Sequence, residues 1–245
     1  VFKGTQLSNA ALHRLSDRFA AGLVREGVSR GDRIAFLLPN SPQFLIAELG
    51  AWKAGATILP LSPMYTGSEL IDPLRNAGVK LMVTLTPFYG RVKEIQTLTS
   101  VRRVIATNIK EYLPPRLRLL FTLAKEKKEG HRIELQSGDW WLSDLIKQHS
   151  HAARPPVDVK PDDEALLLFT GGTTGIPKAA IGTHQALLCS GLQIRTWFAS
   201  VLEDWNDVIL GNMPMFHVYG NAGAIAVSIV GHSPLALVPN PRDIP

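Results

Sequence analysis

The residues best equipped for chemistry run Leu166-Leu167-Leu168-Phe169-Thr170-Gly171-Gly172-Thr173-Thr174-Gly175-Ile176-Pro177-Lys178. An apolar stretch leads into three glycines and three threonines within six residues, and a lysine follows. Glycines let the backbone turn tightly and aim successive N–H groups at an anion. Threonine hydroxyls add donors, and the lysine adds a point charge. That inventory suits a polyphosphate. The alternative is a flexible loop with no ligand.

Two familiar nucleotide loops are excluded by spacing. A Walker loop needs Gly-Lys-Ser/Thr opening a helix, whereas here Pro177 precedes Lys178 and Ala179 stands in place of the magnesium-binding hydroxyl. The run also lacks Gly-x-Gly-x-x-Gly, which argues against a dinucleotide site.

Phe169 to Lys178 resembles the phosphate-binding signature of the adenylate-forming superfamily, which includes acyl-CoA synthetases, firefly-type luciferases and nonribosomal peptide adenylation domains. Two further stretches agree, in the right order. Gly31 to Pro63 resembles the early strand, Pro-Asn turn, helix and strand of that family, and Met213-Pro-Met-Phe-His-Val-Tyr-Gly220 resembles its later Pro-x-Phe-His segment. The Thr-Gly-Gly-Thr-Thr-Gly variant and the basic segment opening Tyr112-Leu-Pro-Pro look most like bacterial long-chain fatty acid–CoA ligases. Ala179 departs from the pattern, because the family commonly has glycine after the lysine.

The resemblance implies two half-reactions. A carboxylate attacks the α-phosphorus of MgATP to give acyl-adenylate and pyrophosphate, and the CoA thiol then displaces AMP. It implies that Thr170, Gly171, Gly172, Thr173, Thr174, Gly175 and Lys178 hold the ATP phosphates. It gives His217 a part in orienting substrate, since a carboxylate already ionised at pH 7 needs no general base. It puts Phe216, Tyr219 and Gly220 beside the acyl channel, Gly220 leaving room for a chain. For these four, ordinary core packing is the competing account. His184 is expected to be structural, and Asp17, Asp32 and Glu48 are expected as caps or solvated faces.

By the same resemblance, related enzymes continue beyond Pro245 with an aromatic-Gly-x-Thr-Glu segment for adenine and magnesium, a ribose-binding aspartate and a mobile domain with a catalytic lysine. The chain is therefore expected to be an N-terminal fragment with no metal ligands of its own and negligible ligase activity alone, its missing partner being the rest of its own polypeptide. An enzyme of the same superfamily activating an aryl or amino acid is the runner-up, and a non-catalytic nucleotide-binding module is a third possibility.

The elements that must position these residues read as a layered α/β fold with mostly parallel sheets flanked by helices, an incomplete large N-terminal domain. Leu12, Leu15, Phe19 and Leu23 recur at helical spacing between Ser8 and Glu26. Strands are expected at Arg33–Leu38, Thr57–Leu61, Lys80–Leu85 and Val104–Thr107, with helices between them and Pro73 limiting or bending one over Gly67–Ala77. Helical spacing recurs through Leu117, Leu120, Phe121 and Ala124, and His149 to Pro161 reads as a linker. Later elements are a strand at Ala165–Phe169, a helix over His184–Ser200, a strand at Val208–Met213, an apolar helix over Asn221–Val230 and a strand at Leu235–Val238. The segments divide as 1–110, a basic insertion and linker over 111–160, and a phosphate-loop segment over 161–245.

The 245 residues are 45% hydrophobic, enough for a sizeable core. Cys189 is the only cysteine, so no internal disulfide framework forms. No leader opens the chain and no apolar run approaches the ~20 residues of a bilayer span, so a cytoplasmic protein is expected. The formal charge is +5, and the excess is local: Tyr112 to Arg132 holds six bases against two acids. That segment is either a solvated helix or a surface that meets anionic lipid at the inner face of a membrane. Nucleic acid is not the expected partner, for no aromatic platform, zinc spacing or helix-turn-helix signature accompanies the bases.

Overall fold

The computed structural model describes residues 1–169 and 178–239. Ser8 caps α1 (Asn9–Arg25), its side chain accepting from the Ala11 amide. After β1 (Arg33–Leu37), Ser41 caps α2 (Pro42–Lys53) by accepting from the Phe44 amide, with Pro42 in the first turn. Gly55 then turns the chain at φ +76, where a Cβ would lie 2.9 Å from Val157. There follow β2 (Thr57–Pro60), α3 (Gly67–Asn76), β3 (Leu81–Leu85), α4 (Thr86–Ile95) and β4 (Arg103–Thr107). Pro73 does not stop α3. The helix starts on a Thr66–Glu69 capping box and buries Leu70, Pro73 and Leu74, which together hold it for three residues past the proline.

These strands form one parallel block, and the sheet continues on both sides in the order β5-β4-β3-β1-β2-β6-β7. The outer members are β5 (Trp140–Trp141), β6 (Glu164–Phe169) and β7 (Ala179–Thr183). All pairs are parallel except β6–β7, which is antiparallel. One sheet thus draws strands from all three sequence segments. Two of its elements were not expected: β7, and β5 with the helix α6 (Leu142–Gln148) after it. Between β4 and β5 lies α5 (Pro115–Ala124).

Both faces of the sheet are covered over β1 to β4, which explains why those strands read as continuous apolar runs. Alternation along β1 sends Ile34, Phe36 and Leu38 into one cluster with Phe19, Leu23, Phe44 and Leu145. Ala35 and Leu37 go into the other, with Leu70, Leu74, Met82 and Val92. Phe36 meets Phe44 edge to face at 5.7 Å. Burying a phenylalanine this completely stabilises by about 1.5–3 kcal/mol relative to leaving it exposed.

After β7 come α7 (His184–Trp197), β8 (Ile209–Gly211), a helical turn at Val218–Gly220 and β9 (Leu235–Leu237) paired parallel to β8. The expected helix over Asn221–Val230 is present, but its first part, Asn221–Ala226, is π-helical.

The face expected on α5 does not form a buried stripe. Of its four residues, Phe121 alone turns inward, edge-on to His131 at 5.1 Å, while Leu117, Leu120 and Ala124 are exposed. The rotation is fixed by that contact and by a network beneath it. Glu126 accepts from Lys110 Nζ at 2.5 Å and from Asn108 Nδ2 at 3.2 Å.

Candidate functional site

The strand leading into the glycine-threonine run is fastened from three sides. Trp52 Nε1 donates to the Ala165 carbonyl and Thr57 Oγ1 to the Glu164 carbonyl, both at 2.8 Å. Arg30 grips Asp163 through Nε at 2.7 Å and Nη2 at 2.5 Å. Those bonds from the guanidinium pull the Asp163 carboxyl down to about 2. Phe169 at the end of β6 faces Ala179 at the start of β7 in register. Lys178 is exposed and directly precedes β7. Thr170, Gly171, Gly172, Thr173, Thr174 and Gly175, expected to hold phosphates, lie outside the described residues.

The second sequence signature is held by Asn40, in the turn after β1. Its side chain is buried and uses both ends of the amide. Nδ2 donates to the carbonyls of Gly211 at 3.0 Å and Met213 at 2.8 Å. Oδ1 accepts from the Met215 amide at 2.8 Å. An amide satisfied three times in a dry setting fixes the segment 211–215 rigidly.

Two residues beyond that clamp, His217 is exposed and caps the turn at Val218–Gly220. Nδ1 accepts from the Tyr219 amide at 3.3 Å. In the neutral ring this leaves the proton on Nε2, a donor pointing away from the turn's backbone. Exposure removes the reading of His217 as a buried core histidine. Phe216 is half-buried, and Tyr219 is 62% exposed. Gly220 is buried, and a Cβ there would lie 2.0 Å from the Pro214 carbonyl oxygen. The space beside Gly220 is therefore filled by backbone, and glycine answers that close approach.

Glu48 is the largest departure from expectation. It is fully buried rather than on a solvated face, and Asn221 Nδ2 donates to its Oε1 at 2.5 Å. Burial pushes its carboxyl up to about 8, so it is protonated at neutral pH. Asp17 also departs, since it pairs with Lys53 across α1 and α2 at 2.7 Å. Asp32 behaves as a cap, accepting from the Ser29 amide at 2.9 Å.

Beside the Glu48–Asn221 contact, a small apolar cleft of about 120 Å³ lies between α7 and the helical stretch 221–230, walled by Trp52, Leu187, Ile225 and Ile229. His184 lies on its wall, edge-on to the Trp52 ring at 5.5 Å, and burial pulls its pKa down. Phe216, Tyr219 and Gly220 do not line it. Among the described residues, no cluster of His, Cys, Asp and Glu is arranged to hold a metal ion. Among them, too, no helix is long and apolar enough to cross a membrane.

Sequence reasoning missed Asn40 and the Glu48–Asn221 pair. A signal for Glu48 was present. Its helix reads Phe44-Leu-Ile-Ala-Glu-Leu, apolar all round, and such a helix is buried on every side.

A seven-stranded, mostly parallel sheet flanked by helices, with a glycine-threonine run between β6 and β7, defines a layered α/β fold. The same fold occurs in solved structures of a long-chain-fatty-acid-CoA ligase from Archaeoglobus fulgidus (TM-score 0.75, 23% identity) and of ATP-bound MatB from Rhodopseudomonas palustris (TM-score 0.75, 24% identity). Each match covers 98% of this chain but only 43% and 42% of the other. The chain belongs to the AMP-binding enzyme family, whose model matches residues 1–244. It is 33% identical over 213 residues to a long-chain-fatty-acid–CoA ligase of Bacillus subtilis, covering 86% of this chain and 38% of that protein. It is 32% identical over 217 residues to 4-coumarate–CoA ligase CCL1 of Humulus lupulus, covering 88% and 35%. The chain therefore spans less than half the length of the relatives it matches.

Proposed function

We propose that this chain carries the phosphate-holding part of an ATP-dependent long-chain fatty acid–CoA ligase of the cytoplasm. The observation that carries the reading is the match of the AMP-binding family over residues 1–244, with three ordered signatures inside it. Similarity to long-chain-fatty-acid–CoA ligases over most of the chain supports the acid class.

In this reading the fatty acid's carboxylate oxygen bonds to the α-phosphorus of ATP while the bond to the β-phosphate oxygen breaks, releasing pyrophosphate. The CoA sulfur then bonds to the acyl carbon and AMP leaves. Charge builds on the pyrophosphate, so the task of Thr170–Gly175 and Lys178 is to surround it with donors and one cation. Mg2+ adds charge compensation on the phosphates, its ligands coming from residues other than those described. His217 offers Nε2–H to a substrate oxygen, and Phe216 and Tyr219 border the entering acyl chain, while Gly220 lets the turn pack on the Pro214 backbone. The Asn40 clamp holds the approach to that histidine.

The test is ATP–pyrophosphate exchange by the intact protein with a panel of acids. Hexadecanoate is expected to support exchange well above 4-coumarate. The reverse order transfers the assignment to an aryl acid, the reading that similarity to the Humulus lupulus ligase favours. No exchange with any acid leaves a nucleotide-binding module. Lys178→Ala is expected to lower exchange by roughly 100-fold. The 245-residue chain alone is expected to show negligible ligase activity and at most weak affinity for ATP or pyrophosphate.

A further inference from the structure

The turn that carries His217 is exposed at its first residue and buried at its last. His217 stands in solvent, while Gly220 and Asn221 are excluded from it. The His217 amide donates to the Pro214 carbonyl at 3.0 Å, and the His217 carbonyl accepts from the Asn221 amide at 3.0 Å. The backbone of the histidine is thus set by its neighbours on both sides. Those neighbours are held in their turn: Asn40 binds the Met215 amide on the near side, and Glu48 Oε1 binds the Asn221 side chain on the far side. Asn40 directly precedes the Ser41 cap of α2, and Glu48 lies about two turns into that helix. Both anchors therefore ride on one rigid element.

Packing alone does not call for an acid at position 48. Its neighbours on α2, Phe44, Ile46, Ala47 and Ala51, are buried and apolar. Within that layer Glu48 Oε2 finds no hydrogen-bond partner among the described residues. Burying a polar group with part of its bonding capacity unused costs stability, and an apolar side chain would fill the space at lower cost. Such a side chain could not hold Asn221. The residue it holds opens the π-helical stretch Asn221–Ala226, and π-turns are rare and recur at functional sites. We infer that Glu48, acting through Asn221, is a positioning residue for His217, setting where Nε2–H stands relative to the carboxylate of the acid substrate. This rests on the ligase reading, in which His217 orients that acid. Glu48 touches no substrate; it fixes the far end of the turn as Asn40 fixes the near end.

The test compares Glu48→Gln, which keeps an accepting oxygen, with Glu48→Leu, which fills a similar space and removes it. In the intact protein, Glu48→Leu should lower kcat of ATP–pyrophosphate exchange roughly 10- to 100-fold and change the KM for ATP by less than about twofold, since the phosphates are held elsewhere. Glu48→Gln should bring kcat back to within about threefold of wild type. The 245-residue chain supplies a readout free of catalysis. There the Tyr219 and Asn221 amides of Glu48→Leu should exchange hydrogen at least about tenfold faster, while those of β1 and β3 keep their protection. If Glu48→Leu does not fold, Asn221→Leu cuts the same bond from the other side and carries the same expectations. The inference is overturned if the apolar variant keeps its kcat, if Glu48→Gln is as impaired as Glu48→Leu, or if amide exchange over 217–221 does not change. Wild-type protein that shows no pyrophosphate exchange with any acid overturns the ligase reading instead, and the hydrogen-exchange comparison still decides whether Glu48 holds the turn.

Discussion

The block of β1 to β4 with α2 and the stretch 179–239 treat large apolar side chains differently. In the first, Ile34, Phe36, Phe44, Ile58 and Val104 are wholly excluded from solvent, because helices cover both faces of the sheet. In the second, Trp197 is 84% exposed, Val201 69%, Trp205 67%, Tyr219 62% and Leu210 58%. The two regions nevertheless share a core, since Met215, Ile225 and Leu237 belong to the same buried cluster as Phe36 and Phe44. The second joins the first through that cluster, through the pairing of Phe2 with Leu237, and through the polar links of Asn40 to 211–215 and Glu48 to Asn221.

That contrast can be broken or sharpened by substitution, and the effects should fall in a definite order. Phe36→Ala removes a ring from the centre of the first core and should cost about 3–5 kcal/mol in urea unfolding. Asn40→Ala should cost about 2–3 kcal/mol by stranding the Met215 amide and taking a donor from the Met213 carbonyl, the Gly211 carbonyl keeping its bond from the Val238 amide. Hydrogen exchange should show the loss concentrated at 211–215 with the sheet still protected, and uniform loss would refute the clamp. Glu48 gives a pH signature. Its carboxyl is raised from 4.5 to about 8 in the fold, so the native state holds a proton that the unfolded chain releases. Stability should therefore fall as pH rises through that window, by roughly 1.4 kcal/mol per unit from this group, with no such contribution below it. Glu48→Gln should flatten the slope. An unchanged slope would mean the carboxyl is not buried in the fold. Trp197→Ser should change stability by no more than about 0.5 kcal/mol while reducing binding of an apolar dye.

The legible parts of the molecule were those whose side chains repeat. The four strands from Arg33 to Thr107 announced themselves as short apolar runs, and the helical spacing between Ser8 and Glu26 brackets α1 to within a residue at each end. The strand β7 was hidden because Ala-Ala-Ile-Gly-Thr has no alternation and is stabilised by pairing with β6 rather than by burial of its own. Two tryptophans are too short a run to read as a strand, yet β5 exists because β4 offers an edge. At the site, spacing picked out the Thr170–Lys178 run and the Phe216–Gly220 segment. It was silent on Asn40, whose bonds reach residues more than 170 positions away. Nor could it set the rotation of α5, which depends on His131 across space.

The distance along the chain between Asn40 and Met215, 175 residues, has a consequence for biosynthesis. At ribosomal speeds of about 5–20 residues per second, the amide is synthesised roughly 9–35 seconds before the backbone it will hold. The sheet beneath it can form in that interval, while the amide stays hydrated. Its capture of the late segment is then among the closing events of folding, and reports that the nascent chain has delivered its second region to the first.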